Sequence, residues 1–206
     1  CILIPYGINT IAEKINKKSA KELIQKRHGL YKEQMILFFA GTLDYLPNAK
    51  AVENIYKEIA PRLLEKKFDG KIIICGRNEG KQFQYLNKLN HPLVINIGEV
   101  DDIETYFAAT DVFINPVLQG GGIQTKNIEA ISYGCQLVCF ENMLSGINKN
   151  LFTIHITTAQ PGNFEQFCNA TRASLQKDTS PPTAEFYNQY CIENLTKKLV
   201  ERLITD

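Results

Sequence analysis

Short apolar runs alternate with longer amphipathic segments along this chain. Five runs are almost continuously apolar, which is typical of strands that are buried on both faces, as in a parallel sheet. They are MILFFAG (35–41), KIIICG (71–76), LVINIG (93–98), DVFINP (111–116) and CQLVCF (135–140), and FTIHIT (152–157) is a candidate sixth strand.

The segments between these runs predict helices. From Asn48 to about Lys67, apolar residues recur at helical spacing; Pro47 suits the first turn, and Pro61 predicts a kink or a break. The alternation of strand and helix predicts an α/β fold, a parallel sheet with helices on both faces. The other predicted helices are 79–90, 102–110, 125–134, 164–176 and 184–204.

Composition places the chain among ordinary globular proteins. Of its 206 residues, 44% are hydrophobic and 22% are charged, and the net charge is +1. These values exclude a disordered chain and a nucleic-acid-binding surface. No apolar run reaches the ~18 residues of a membrane helix, and the first residues do not resemble a signal peptide. Within the basic segment 1–35, we interpret Lys14, Lys17, Lys18 and Lys21 as a solvated helix face.

The six cysteines are scattered along the chain, as are the three histidines. This spacing predicts buried free thiols and no metal site. Free thiols are typical of a reducing compartment, so we expect a cytoplasmic protein.

In a parallel sheet of this kind, ligands bind beyond the carboxyl ends of the strands. Gly120, Gly121 and Gly122 follow the fourth predicted strand, and a helix begins shortly after them. Consecutive glycines expose backbone N–H groups, and a helix start adds the positive end of its dipole, so this loop predicts a phosphate site. Lys126 in the first helical turn would add a charge. The alternative is an ordinary turn with a solvent-facing lysine.

Two other residues near the strand ends are candidates for nucleotide binding. Glu129 lies three positions after Lys126, where it forms either an intrahelical ion pair or an acceptor for ribose hydroxyls. Arg77 follows the second strand, as a solvated or helix-capping side chain or as a diphosphate ligand. The segment 76–81 has three residues between its glycines where a P-loop has four, and Gln82 stands where a P-loop has Ser or Thr, which disfavours an NTPase. No G-x-G-x-x-G follows a predicted strand, which disfavours a dinucleotide dehydrogenase.

Several motifs, in order, resemble family 4 glycosyltransferases. The donor-binding segment of that family is similar to ATDVFINPVLQGGGIQTKNIEAISYGCQLVC, its first strand and helix to FFAGTLDYLPNAKAVENIYKEIAPRL, and its base-binding segment to GEVDDIETYFAATD. The opening IPYGI resembles the stretch that closes the family's N-terminal domain. The resemblance covers most of residues 1–150.

This resemblance implies that the chain is one half of a GT-B fold, a Rossmann-like domain that binds the nucleotide-sugar donor. The implied parts are an interdomain linker and leading helix (1–34), the nucleotide-sugar-binding domain (35–182) and a C-terminal helix (183–206). The implied reaction transfers a sugar, with retention, from a donor such as a UDP- or GDP-sugar to a glycan, lipid or other acceptor, without a metal or a further cofactor. The partner implied is an N-terminal acceptor-binding domain that this chain lacks, and the full-length enzyme could associate peripherally with a membrane.

The resemblance also assigns candidate residues. Glu129 matches the family glutamate that holds the ribose, and Lys126 matches a lysine of the subgroup with three glycines. The first of the family's two paired glutamates is replaced by Gly121, and the basic pair after the first strand is absent. The predicted donor-binding residues are Gly41, Thr42, Arg77, Glu99, Val100, Gly121, Gly122, Ile123, Gln124, Lys126 and Glu129.

Two other functions stay open from the sequence. The missing glutamate and basic pair would also suit a degenerate GT-B domain that serves assembly, and a GT-B nucleotide-sugar epimerase would share the same donor-binding half. We expect the isolated domain to bind a donor but not to transfer its sugar, because catalytic residues would lie mainly in the other half.

Overall fold

The computed structural model describes residues 6–9, 15–148, 154–177 and 181–205. The strands are β1 (Met35–Ala40), β2 (Gly70–Cys75), β3 (Val94–Gly98), β4 (Val112–Asn115), β5 (Gln136–Phe140) and β6 (Ile156–Ala159). The helices are α1 (Lys17–Arg27), α2 (Leu46–Asn54), α3 (Ala60–Glu65), α4 (Ile103–Ala109), α5 (Thr125–Ser132), α6 (Phe164–Ser174), α7 (Ala184–Tyr190) and α8 (Ile192–Thr205).

The strands form one parallel sheet in the order β3-β2-β1-β4-β5-β6. β1, β2, β4 and β5 are buried almost throughout, because their continuous apolar sequences offer side chains to both faces. The strand order reverses between β1 and β4, which are neighbours in space but not in sequence. A crevice therefore opens beyond the carboxyl ends of these two strands, the usual ligand position in such sheets.

Helices cover both faces of the sheet, as predicted. α4 packs on β1, α5 packs on β4 and β5, and α1 packs outside α4. α6 packs on β5 and β6 and also contacts α3 and the segment before it, so these elements form the second layer. Right-handed crossovers explain why the helices lie on two faces. The chain moves towards one edge of the sheet after β1 and towards the other edge after β4, so its crossovers pass over opposite faces. The predicted α/β Rossmann-like fold is confirmed.

Four of the predicted elements differ from the structure. The helix expected over 48–67, with a kink or break at Pro61, is interrupted by a π-helical turn, Ile55–Ile59. α3 begins after this turn at Ala60, and Pro61, which has no N–H to donate, lies in its first turn. The segment 79–90 forms only a 3₁₀ helix, Lys81–Lys88, and the helix expected at the carboxyl end is two helices separated at Cys191. β6 begins at Ile156, four residues later than predicted, while 152 and 153 lie outside the described residues.

Two basic residues of α1 do not belong to the solvated face expected from the sequence. Lys17 donates to the Gly134 carbonyl over 2.9 Å, and Lys21 forms an ion pair with Asp111 at 2.7 Å. Arg27 forms two hydrogen bonds with the Asp102 carboxylate. These contacts fasten α1 onto the α4 layer, so the interpretation is wrong for Lys17 and Lys21. Lys18 is exposed, and Lys14 lies outside the described residues.

The thiols at Cys75, Cys135, Cys168 and Cys191 are free and buried, as the sequence predicts. Burial raises the pKa of the Cys75 thiol to about 11, so this group behaves as a small apolar core residue. None of the helices in the described ranges combines the length and apolar character that crossing a membrane requires.

Candidate functional site

A cavity of about 380 Å³ lies at the carboxyl ends of β1 and β4, where the strand order reverses. Three parts of the chain form its walls: the β1–α2 loop with the start of α2, one side of α4, and the glycine loop with the first half of α5. The lining residues are Ala40, Gly41, Thr42, Tyr45, Asn48, Ile103, Phe107, Gly121, Ile123, Gln124, Thr125, Lys126 and Glu129.

The floor of the cavity is held in place by bonds between the loops that follow β1 and β2. The Gly41 amide donates to the Cys75 carbonyl, and the Leu43 amide donates to the Arg77 carbonyl over 2.8 Å. The Asp44 carboxylate accepts from the Gly80 amide over 2.7 Å and from the Glu79 amide over 3.1 Å. The β1–α2 loop is therefore a fixed surface.

The glycine loop forms the outer wall and leads into α5. Gly122 has a φ of +75°, a left-handed conformation that favours glycine. α5 begins at Thr125 without a side-chain cap on its N-terminus, so its first amide groups are not satisfied by a capping side chain. An uncapped helix start beside a cavity attracts anions.

Lys126 is the basic side chain of the cavity lining, and it is half-buried. Its Nζ atom donates to Asn48 Oδ1 over 2.6 Å and lies 4.6 Å from the centre of the Phe39 ring. Burial lowers the pKa of the Lys126 ammonium to about 7, because the protein surroundings stabilise a positive charge less well than water does. A bound anion would restore the charged form.

Glu129 lies one helical turn further along α5, on the same cavity. Burial and the nearby Glu104 carboxylate raise the pKa of Glu129. Both Lys126 and Glu129 fall within the described ranges, and no ion pair joins them there. The interpretation of this pair as an intrahelical salt bridge is therefore wrong, and both side chains face the cavity separately.

The structure brings seven of the eleven predicted residues onto this one cavity: Gly41, Thr42, Gly121, Ile123, Gln124, Lys126 and Glu129. Gly122 lies in the same loop between two of them. Arg77, Glu99 and Val100 do not belong to the cavity lining; the first two are exposed, and Val100 packs against the core. Their predicted roles in donor binding stay predictions.

Sequence reasoning missed the opposite wall, where Tyr45, Asn48, Ile103 and Phe107 meet α5. No local pattern marks Asn48, because its partner Lys126 lies 78 positions further along the chain. Across the residues that the structure describes, no group of three or more His, Cys, Asp or Glu side chains is arranged to hold a metal ion.

Solved structures with the same fold include longer proteins, one of them described as a glycosyltransferase. A glycosyltransferase from Rickettsia africae has a TM-score of 0.74 at 14% identity, covering 97% of this chain and 55% of its own. Anabaena HepE in complex with UDP and glucose has the same TM-score, the same identity and the same two coverages. The chain thus spans about half the length of these two relatives, which share its fold, one half of a GT-B fold.

A third structure covers nearly all of this chain and is itself nearly all covered by it. The C-terminal domain of a glycosyl transferase group 1 family protein (LpcC) from Francisella tularensis has a TM-score of 0.60 at 10% identity, covering 95% of this chain and 98% of its own. No curated protein sequence matches this chain significantly. The family model described as "Glycosyl transferases group 1" matches residues 34–177, about two thirds of the sequence. This chain belongs to the glycosyl transferases group 1 family.

Proposed function

We propose that this chain is the donor-binding half of a retaining glycosyltransferase, which moves a sugar from a nucleotide diphosphate sugar to a glycan, lipid or other acceptor. The observation that carries the proposal is the cavity at the strand reversal, where a half-buried lysine, an uncapped helix start and a carboxylate share one wall. Membership of the family and the UDP-glucose complex of HepE support a nucleotide sugar as the ligand.

The chemistry of the cavity suits the parts of such a donor. The diphosphate carries negative charge, which Lys126 and the α5 amide groups would neutralise without a metal. The Glu129 carboxylate accepts hydrogen bonds, as ribose hydroxyls require. When the sugar departs, charge grows on the leaving phosphate oxygen, and the same lysine and amide groups would stabilise it.

The acceptor would bind in a second domain. This chain matches the C-terminal domain from Francisella tularensis over 95% of its length and spans about half of the Rickettsia africae glycosyltransferase. Transfer requires donor and acceptor to be held in register across a cleft. We therefore expect the chain alone to bind a donor without transferring its sugar; retention rests on the family resemblance.

Titration calorimetry with UDP, GDP and UDP-glucose tests donor binding, with uridine as the control that lacks phosphates. We expect a Kd between about 1 µM and 1 mM for at least one diphosphate, and binding at least about tenfold weaker for uridine. Absence of binding by all three diphosphates would overturn the proposal and favour a domain that serves assembly, which light scattering would detect as self-association.

Donor binding should depend on pH through Lys126. The pKa of its ammonium is about 7 in the free protein and rises when a diphosphate binds, so binding takes up a proton above pH 7. Affinity for UDP-glucose, whose diphosphate does not titrate in this range, should fall between pH 7 and 9, with uptake of about one proton at pH 8. Calorimetry in buffers of different ionisation enthalpy measures this uptake.

Lys126→Arg is the control for the pH profile, because a guanidinium stays charged over the whole range. The other titratable groups at this end of the cavity include Glu129 on α5, Glu104 on α4, which acts on Glu129, Tyr45 in the β1–α2 loop, and Tyr6, which is hydrogen-bonded to Thr125. A profile that is equally steep in Lys126→Arg would assign the pH dependence to a different group.

A further inference from the structure

The Asn48 side chain connects the two walls of the cavity. Its Nδ2 group donates to the Thr42 carbonyl over 3.0 Å, and its Oδ1 atom accepts from Lys126 Nζ over 2.6 Å. Asn48 itself is buried, with 8% of its surface exposed. The amide therefore has defined partners at both ends, and the lysine is tied to a residue 78 positions away.

Gly41 makes room for this connection. A Cβ atom at position 41 would lie 2.7 Å from Asn48 Nδ2 and 2.9 Å from its Cγ atom, closer than such atoms approach. Gly41 does not have a left-handed backbone, so the position excludes a side chain only because the Asn48 amide occupies the space. Gly41 and Asn48 thus act as a matched pair beneath the cavity.

We propose that Asn48 is a positioning residue for the donor phosphates: it holds the Lys126 ammonium group against the β1–α2 loop, so that an incoming diphosphate meets a cation already in place. The inference rests on the proposed function of the cavity and deepens it. A lysine side chain has a flexible four-carbon stem, and fixing it in advance removes an entropic cost of binding.

The amide of Asn48 suits this task because it is polar but uncharged. It accepts a hydrogen bond from Lys126 without neutralising the charge that a phosphate needs. The Phe39 ring also contacts the same ammonium group, with its centre 4.6 Å from Lys126 Nζ. The charged groups of the neighbouring elements, Glu129 on α5 and Glu104 on α4, form no ion pair with Lys126 in the described ranges.

Asn48→Ala should weaken UDP-glucose binding by about 3- to 10-fold at pH 7, as expected for the loss of one orienting hydrogen bond. The matched control is Asn54→Ala, on the same helix, whose side chain also donates to a loop carbonyl, that of Pro116. The control should bind within about twofold of the parent chain. Circular dichroism and thermal melting establish that both variants are folded.

Gly41→Ala tests the positioning role without changing Asn48 itself. We expect it to weaken binding as Asn48→Ala does, because the new methyl group displaces the amide. The double variant should then bind no more weakly than Asn48→Ala alone, since the methyl group would enter vacated space. Additive losses would show that Gly41 acts independently of Asn48, which would contradict the inference.

Asn48→Asp provides a readout that a merely structural residue would not move. A carboxylate beside Lys126 Nζ should keep the lysine charged over the whole range and compete with the phosphates. Affinity at about pH 7 and below should therefore be lower, and its decline between about pH 7 and 9 should disappear. A pH profile shaped like that of the parent chain would overturn the positioning role.

The outcomes separate this inference from the proposed function. Binding by the parent chain that Lys126→Ala weakens but Asn48→Ala and Gly41→Ala do not would refute the role of Asn48 alone. Absence of donor binding by the parent chain would refute the proposed function together with the inference. The inference would be established by three results together: weaker donor binding by Asn48→Ala, a non-additive effect of Gly41→Ala, and a flat pH profile for Asn48→Asp.

Discussion

Lys126→Ala is expected to weaken binding of UDP or UDP-glucose by about 10- to 100-fold, as for the loss of a hydrogen bond between charged groups. Lys126 is the basic side chain of the cavity lining, and it is held at Asn48 beside the start of α5. Calorimetry at about pH 6 measures the change most cleanly, because the ammonium, whose pKa is about 7, is then largely charged.

Two variants make this expectation specific. Lys126→Met keeps the length of the side chain without its charge, and it should lose affinity to the same extent as the alanine variant. Lys18→Ala removes an exposed lysine of α1 and should leave binding unchanged within about twofold. Equal affinity of the parent and Lys126→Ala chains would show that the phosphates are bound elsewhere.

Phe38→Ala is expected to lower the free energy of unfolding by about 3–5 kcal/mol. Phe38 lies in the central strand β1 and is fully buried. Its ring centre is 5.2 Å from that of Phe107, 5.9 Å from that of Tyr106 and 6.0 Å from that of Phe113. This cluster packs α4 onto the sheet, and Phe107 also lines the cavity.

Urea unfolding followed by circular dichroism measures the loss, and an unchanged m-value indicates that the unfolded states are comparable. Phe38→Leu retains most of the buried apolar area and should cost only about 1–2 kcal/mol. A loss below about 1 kcal/mol in Phe38→Ala would be incompatible with a packed aromatic cluster at this position.

The elements that were predictable from the sequence are those whose signal is local. The boundaries of β1 and β2 agree with the apolar runs to within one residue, because strands buried on both faces have an unbroken pattern. The predicted position of β6 is four residues too early, because β6 is an edge strand of mostly half-buried, partly polar residues, ITTA, whose apolar pattern is weak. The effect of Pro61 was predictable, but the π-helical turn that accommodates it was not.

Contacts between distant segments account for most of the remainder. The ion pair of Lys21 with Asp111 spans 90 positions, so the sequence of the helix alone predicts a solvent-exposed Lys21. The candidate site likewise has residues that are predictable from one segment and residues that are not. Lys126, Glu129 and the glycine loop were predicted because they lie within one short segment, whereas Asn48 reaches Lys126 only because β1 and β4 are neighbours in the sheet.

The central claim is that the cavity between β1 and β4 holds the nucleotide diphosphate of a sugar donor. A crystal structure of the chain with saturating UDP tests it most directly. The account predicts a phosphate oxygen within about 2.7–3.2 Å of Lys126 Nζ and the ribose hydroxyls on the Glu129 carboxylate. A nucleotide bound elsewhere on the chain, with Lys126 still bonded only to Asn48, would contradict the account.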